Sequence, residues 1–488
     1  MLIEQFLLAV TPLMLATALF GVTLGIIWGA LPGLSTTMAM ALLIGLSTGM
    51  SQNVAIMFML GVYTGSVFGG AISAVLINIP GTPDAVPAMI EGYPLAQRGE
   101  GGLALGTAIA ASFVGNWVGI VLLISFIPLL LILALQFRSW EMFLLAMWGI
   151  AISGTMSAGD RPLKGWISGW IGRLIAFVGL DAIHGVSRFT FGSYVLDDGI
   201  SYIPLLIGLF GLAEVLRVLP QDNPTGIPSH VGRVIPPMRS LIKHSRAAVR
   251  SGLIGTIIGA IPGAGANVAS FFSYDIGRRL AKPEERKKWG KGSYEAIVCA
   301  EVANNANIGG SMLPTLTLGI PGNAAAAAIL AALELKGVVV GPTIQTENPG
   351  LIFFIYIGLI IANFLMYGMA IILIKPCVKL FSLPMTLILP MILPVCVIGA
   401  YAVRLSYIDV YLMLSAGIGG YILHRFGFPV APMVLAVLLG PLADENLRRA
   451  LLIFEDKEFW YVFTSPVGDI LILVVLYTFY DGIFRRRA

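Results

Sequence analysis

Charged positions vanish from long continuous stretches of the chain. No Asp, Glu, Lys or Arg occurs in residues 5–83, 101–137, 302–333, 348–374 or 380–403. A helix needs about 20 apolar residues to cross a bilayer, so these stretches predict many crossings. Candidate spans run near 6–29, 53–77, 102–136, 140–158, 162–180, 200–218, 351–374, 385–402, 406–424, 428–440 and 467–483. The pattern predicts an all-α polytopic membrane protein with about 10–14 membrane helices, re-entrant or broken hairpins among them.

The basic residues between the spans set their direction. Arg217, Arg233, Arg239, Lys243, Arg246 and Arg250 form one cluster, and Arg485, Arg486 and Arg487 end the chain. Both belong on the cytoplasmic side under the positive-inside rule. A second cluster at Arg278, Arg279, Lys282, Arg286, Lys287, Lys288 and Lys291 should face the same way. One straight crossing between Arg250 and Arg278 would separate the clusters. A helical hairpin that enters and returns, turning at Ile261-Pro262-Gly263-Ala264-Gly265, keeps them together. Pro and Gly break a helix, and broken backbone at membrane depth survives only where it lines protein or a wet cavity.

The chain repeats itself. Gly25-Ile26-Ile27-Trp28-Gly29-Ala30-Leu31-Pro32-Gly33 matches Gly255-Thr256-Ile257-Ile258-Gly259-Ala260-Ile261-Pro262-Gly263 at an offset of 230 residues. Gly69-Gly70 followed by Asn78-Ile79-Pro80-Gly81-Thr82 resembles Gly309-Gly310 followed by Gly319-Ile320-Pro321-Gly322-Asn323, the second motif at an offset of 241. The extra length fits the basic loop 278–292, which replaces the short Ser47–Asn53 turn. No Lys or Arg precedes Arg98 in the first half, whereas the matching loop of the second half holds seven. Loops of such opposite basic content belong on opposite faces, so two inverted repeats are expected. The chain then divides into a first membrane repeat (1–218), a cytoplasmic basic linker (219–247), a second membrane repeat (248–442) and a C-terminal loop with a final helix (443–488).

Composition agrees and excludes alternatives. Residues are 57% hydrophobic and 11% charged, against roughly 25% charged in an ordinary soluble domain. Cys299, Cys377 and Cys396 sit in apolar segments with no disulfide or zinc spacing. His184, His230, His244 and His424 are scattered singly, so no metal site is expected. The net charge of +4 reads as loop topology rather than nucleic-acid binding. No Lys or Arg precedes the first segment, which is expected to stay as a membrane helix rather than a removable signal.

Corresponding interruptions in two halves point to a transporter's substrate site. Ser35, Thr36 and Thr37 follow Pro32-Gly33; Gly265, Ala266, Asn267 and Ser270 follow Pro262-Gly263. Thr82 follows Pro80-Gly81, and Asn323 follows Pro321-Gly322. These are N-cap chemistries. A helix starting inside the membrane offers unpaired N–H groups and a positive dipole end, which hold a carboxylate without a buried Lys or Arg. Glycine at Gly33 and Gly263 lets a ligand approach the backbone. The expected substrate site comprises Gly33, Ser35, Thr36, Thr37, Asn78, Pro80, Gly81, Thr82, Gly263, Gly265, Ala266, Asn267, Asn305, Gly322 and Asn323. Glu301, Asn304 and Asn305 share the most polar run in an apolar region, and Asn305 lies one turn from Glu301. They are candidates for a coupling cation, with interhelical hydrogen bonding as the alternative. Asp84 and Glu91 read as interfacial. Gly263-x-Gly265 is no nucleotide fingerprint, since no strand precedes it.

Taken together, Gly29–Gly33, Tyr63-Thr64-Gly65, Gly69-Gly70, Asn78–Thr82 and Gly92-Tyr93-Pro94 resemble the large membrane subunit of the tripartite tricarboxylate transporters. So do Ile261–Ala266, Glu301-x-x-Asn304-Asn305-Ala306, Pro314-Thr315-Leu316 and Gly319–Gly322. Asn323 stands where that family often has Ser. The resemblance covers nearly the whole chain. It implies a bacterial inner-membrane secondary carrier that works with a small membrane subunit, of four-helix type, and a periplasmic substrate-binding protein. It also implies import of di- or tricarboxylates with a cation, Na+ or H+, and no other cofactor. The competing class is an intramembrane enzyme acting on a lipid or small anion. Such an enzyme needs a nucleophile with its base or a metal cluster, and the scattered histidines and missing HExxH pattern argue against it.

Overall fold

The computed structural model of the chain describes residues 2–159, 161–181, 183–219, 234, 243–380, 385–455, 463 and 465–484. Helices make up most of them, and the strands Gly179–Leu180 and Ser187–Arg188 form one small antiparallel pair. Arg233, Arg239, Arg485, Arg486, Arg487 and most of the 219–247 linker lie outside the described residues. Four described helices are long and apolar enough to cross a bilayer: Pro12–Ala30, Gln52–Ile77, Gly101–Ala134 and Leu351–Lys379.

The core is built from two glycine-seamed helix pairs. In the first, Gly21, Gly25 and Gly29 of Pro12–Ala30 face Gly61, Gly65 and Gly69 of Gln52–Ile77. A Cβ on Gly25 would stand 2.4 Å from Val62 O, and one on Gly65 2.4 Å from Val22 O. Lipid supplies no hydrophobic force between helices, so small residues that admit close backbone packing do the joining. The second pair repeats this. A Cβ on Gly255 of Ser245–Gly259 would meet Ala303 O of Tyr294–Leu318 at 2.3 Å, and one on Gly310 would meet Thr256 O at 2.3 Å.

Each pair carries a broken return. Pro12–Ala30 turns back at Leu31–Ser35 into Thr36–Ser47, and Ser245–Gly259 turns back at Ala260–Ala264 into Gly265–Leu280. The expected hairpin at Pro262-Gly263 is present. Gly33 (φ +81) and Gly263 (φ +78) take the same left-handed conformation, which a residue with a Cβ adopts only at a cost. The long helices also end alike, on left-handed caps at Asn78 (φ 58) and Gly319 (φ 68).

Contacts between the halves settle their relative direction. Lys336 Nζ, just after Ala324–Leu335, donates to Thr48 O and Met50 O at 2.7 Å. At the other end, Arg98 Nη2 donates to Lys291 O at 2.7 Å. The helix Gln52–Ile77 spans about 39 Å between the Thr48 and Arg98 ends. The Ser47–Asn53 turn and the 278–292 loop therefore lie at opposite ends, and the repeats are inverted. Lys243, Arg246 and Arg250 open one arm of the second hairpin and Arg278 and Arg279 close the other, so these five basic residues share one end.

Several span limits differ from expectation. The first span breaks at Thr11-Pro12 into Leu2–Ala9 and Pro12–Ala30, because Pro lacks the N–H that would continue the ladder. The 162–180 segment stops at Ala176 and enters the strand pair. The segment that starts near 428 runs to Phe454, well past 440. Its polar half stays helical because its charges are paired: Arg188 Nη1 lies 2.8 Å from Asp444, Arg448 Nη1 2.6 Å from Asp181, and Arg449 pairs with Glu445. Glu91 does not stand in an open loop but within the helix Val86–Gln97. It is fully buried and accepts from Gly290 N, Gly292 N, Ser293 N and Tyr274 Oη at 2.6–3.0 Å, pinning the basic loop onto Val86–Gln97.

The seam generates a stability prediction. Gly25→Val forces the first pair apart and should cost about 1–3 kcal/mol, read as a lower denaturant midpoint; an unchanged midpoint would mean the seam is slack. The inversion predicts that Ser51→Cys and Lys282→Cys react with a membrane-impermeant maleimide from opposite sides of sealed vesicles. The three native cysteines are buried and should stay silent. Labelling of both positions from one side would contradict the arrangement.

Candidate functional site

The tips of both halves meet at a cavity of about 370 Å³. The repeats supply Ser35, Thr36, Thr37, Tyr63, Asp84, Gly263, Gly265, Ala266, Asn267 and Asn323 to its lining. The opposite wall comes from outside the matched motifs: Met156 and Ser157 end Ser139–Ser157, Phe210 projects from the π-helical turn Ile207–Leu212, and His424 and Pro429–Ala431 join Tyr407–Arg425 to Ala431–Phe454. π turns recur at functional sites because they re-aim side chains. Among the described residues, no Lys or Arg lines the cavity.

Three helices begin here, and they differ in how their first N–H groups are used. Ser35 Oγ caps Thr36–Ser47 by accepting from Met38 N at 3.1 Å. Asn323 Oδ1 caps Ala324–Leu335 by accepting from Ala326 N at 2.8 Å. Gly265–Leu280 has no side-chain cap at Ala264, so its first-turn N–H groups, which have no intrahelical acceptor, remain available to an anion. A Cβ on Gly265 (φ +72) would meet nothing within 4 Å; the backbone is open to a ligand there. Asn267 is exposed beside it, and Thr36 Oγ1 is buried without a hydrogen bond.

Other expected site residues have different work. A Cβ on Gly263 would stand 2.3 Å from that of Ser153, and the Gly263 N–H donates to Gly322 O at 2.8 Å. Gly33 faces Val218. Gly33 is absent from the lining, whereas Gly263 lines the cavity while packing on Ser153. Gly81 packs on Gly29 and Gly70, and Gly322 packs on Gly259 and Ser311, so neither lines the cavity. Asn78 is an exposed helix cap, because Asn tolerates the left-handed region. Pro80 is likewise absent from the lining. Asn323 has no donor to spare: its Nδ2 donates to Tyr63 Oη and Asn307 Oδ1, each at 2.9 Å.

Behind the cavity lies a buried polar layer. Glu301, Asn304 and Asn305 are fully buried, Asn307 nearly so, and Thr82 is fully buried. Ser112 Oγ donates to Glu301 Oε2 at 3.1 Å, and Asn305 Nδ2 donates to Glu301 O at 3.0 Å. Thr82 and Asn304 stand beside the Asp84 carboxylate. Asp84 was expected at the interface; at 5% exposure it lies inside, because the turn Pro83–Ala85 folds back onto Tyr294–Leu318.

Tyr63, Asp84, Phe210 and His424 are lining residues that sequence reasoning missed. Tyr63 stood within a quoted motif, and Asp84 lies two residues beyond Thr82. For Phe210 and His424 the sequence carries no comparable signal.

The profile of the Tripartite tricarboxylate transporter TctA family matches residues 15–435. The chain belongs to this family. The TctA family works in a tripartite system with a small membrane subunit and a periplasmic binding protein, so the chain is a transporter subunit and a multi-pass membrane protein. Among relatives, the "Uncharacterized 52.8 kDa protein in TAR-I ttuC' 3'region" of Agrobacterium vitis is 35% identical over 96% of this chain and 93% of its own. The "Uncharacterized protein in TAR-II ttuC' 3'region" of the same organism is 37% identical over 45% of this chain and 89% of its own. No solved structure matches the chain significantly.

The free donors at the cavity generate a binding prediction. Thr36→Ala and Asn267→Ala should each weaken carboxylate binding by about 1.5–3 kcal/mol, the worth of a hydrogen bond to a charged group. Asn78→Ala should leave the Kd unchanged. Wild-type affinity in both of the first two variants would place the anion elsewhere.

Proposed function

We propose that the chain is the permease subunit of a binding-protein-dependent secondary transporter that imports di- and tricarboxylates, citrate-like anions, in symport with a cation. The observation that carries this reading is the cavity shared by both repeat tips, lined among the described residues by hydroxyl, amide and uncapped N–H donors, with one acid, Asp84, and without Lys or Arg. A fixed cation at membrane depth is costly and would hold a multivalent anion too tightly for release. Neutral donors and a helix N-terminus attract carboxylates with an interaction that each cycle can break. Glu301, Asn304 and Asn305 supply the buried oxygens beside which a coupling cation is sought.

The division of the cavity wall supports alternating access of elevator type. The repeat tips form one moving wall, and Ser139–Ser157, the π turn and the 424–435 corner form the other. In this reading the C-terminus and the 243–250 and 278–291 segments face the cytoplasmic side of a bacterial inner membrane, as the positive-inside rule expects of their basic residues. The periplasmic binding protein then delivers substrate at the Ser47–Asn53 end, where the small subunit completes the assembly.

Proteoliposomes test the reading. With the small subunit and loaded binding protein present, labelled citrate should accumulate under an imposed cation gradient and be recovered chemically unchanged. Vesicles holding this chain alone should show little uptake. Strong uptake by the chain alone would remove the binding-protein dependence, and conversion of the citrate would favour the enzyme.

A further inference from the structure

The inverted repeat places two equivalent junctions beside the cavity, and the two differ in how far their polar groups are bonded. Backbone contacts set the register. Gly29 meets Ser66 O and Gly259 meets Asn307 O; Gly81 meets Gly70 Cα and Gly322 meets Ser311 Cα; Gly69 meets Ile26 O and Gly310 meets Thr256 O. The long helices therefore correspond at an offset of 241 throughout, and Gly310 rather than Gly309 takes the place of Gly69. Tyr63 is then the counterpart of Asn304, Leu60 of Glu301, and Thr82 of Asn323.

At the junction of the first half's long helix with the second half's tip, every polar group on Asn323 is used. Tyr63 Oη lies 3.0 Å from Ser311 Oγ and accepts from Asn323 Nδ2 at 2.9 Å. The remaining groups of Asn323 engage Asn307 and Ala326; Asn307 Nδ2 is the one group of this network that bonds to nothing. The tyrosine ring fills the space that a smaller side chain would leave, and its hydroxyl completes the network.

At the other junction the counterparts are left over. Asn304 bonds through neither amide atom, and Thr82 Oγ1, Asp84 Oδ2 and Glu301 Oε1 have no hydrogen bond. All four residues are at most 5% exposed. Asn304 and Thr82 flank the Asp84 carboxylate, and Glu301 feels its charge. Among the described residues, neither carboxylate has an ion pair. Buried oxygens are ordinarily satisfied, and a buried carboxylate calls for positive charge.

We propose that this junction binds a sodium ion through Asp84, Glu301, Asn304 Oδ1 and Thr82 Oγ1, and that the Tyr63–Asn323 junction is its permanently locked counterpart. The proposal rests on the carrier reading for its purpose, not for its chemistry. Oxygen donors without nitrogen or sulfur suit a hard cation. A proton would need only a carboxylate and would leave Asn304 and Thr82 idle. The ligands come from both halves, so the ion ties the first tip to the second long helix. Asp84 also lines the substrate cavity, which couples ion occupancy to the anion's surroundings.

The test is sodium-dependent thermal unfolding of the purified full-length chain, with choline replacing sodium at constant ionic strength and pH, and no carboxylate present. Sodium should raise the Tm saturably. Thr82→Val, which keeps the side-chain shape, and Asn304→Ala should each raise the half-saturating sodium concentration at least tenfold, each measured against its own Tm in choline. Ser311→Ala, at the locked junction, should change it less than twofold. Absence of a sodium effect on the wild type overturns the proposal. So does loss of the effect in Ser311→Ala with retention in Asn304→Ala, or a shift reproduced by lowering pH without sodium. Citrate uptake by the complete assembly separates the two claims: sodium-independent uptake overturns the ion site alone, whereas absent uptake with intact sodium stabilisation overturns the carrier reading alone.

Discussion

Main chain meeting main chain at van der Waals distance, in the middle of a bilayer, is the constraint on which the rest of this structure depends. Backbone that leaves a helix at membrane depth must find its partners inside the protein. Here it does so at two equivalent places, where Gly81 lies on Gly29 and Gly70 and Gly322 lies on Gly259 and Ser311. A Cβ at Gly81 would stand 2.0 Å from Gly29 O, so no side chain of any kind fits. The glycine seams along both helix pairs bring the long helices close enough for these contacts. The broken tips, the cavity between them and the caps that open onto it all follow.

Charge is used sparingly, and its placement separates structure from chemistry. Glu91 and Glu301 are equally buried acids. Glu91 accepts three backbone N–H groups and a tyrosine hydroxyl, and it fastens a loop to a helix. Glu301 has one serine donor and an unbonded oxygen, close to a second acid that borders the cavity. Sequence position cannot tell these two roles apart, because both glutamates sit beside apolar runs. Their partners tell them apart, and those partners arrive from segments about two hundred residues away.

Much of the fold was legible in the residues. The Pro-Gly breaks, the hairpin at Pro262-Gly263 and the repeat are local features, written in residue types that cannot continue a helix. The inversion was legible too, through seven basic residues in one loop and none in its counterpart. The candidate site was legible in outline: Ser35, Thr36, Thr37 and Asn267 follow breaks and do face one cavity. Asn78 and Gly81 follow the same rule and do not, since one caps a helix and the other is a packing contact. The Asp444 region was misjudged for a related reason. A charge run ends a span by composition, but Arg188 pairs with Asp444 and the helix continues.

The sequence by itself determined that the chain lives in a membrane, where its helices break, and that its halves are related and inverted. These depend on hydrophobic length, on backbone-limited residues and on loop charge, all of which act locally. Only the tertiary structure decided the register of the repeat, the recruitment of Tyr63, Asp84, Phe210 and His424 to the cavity, and how differently two equivalent junctions are bonded. Those outcomes turn on which face of a uniformly apolar helix meets which neighbour. In a chain whose helices are apolar all round, that choice is made by close packing and buried hydrogen bonds between distant segments.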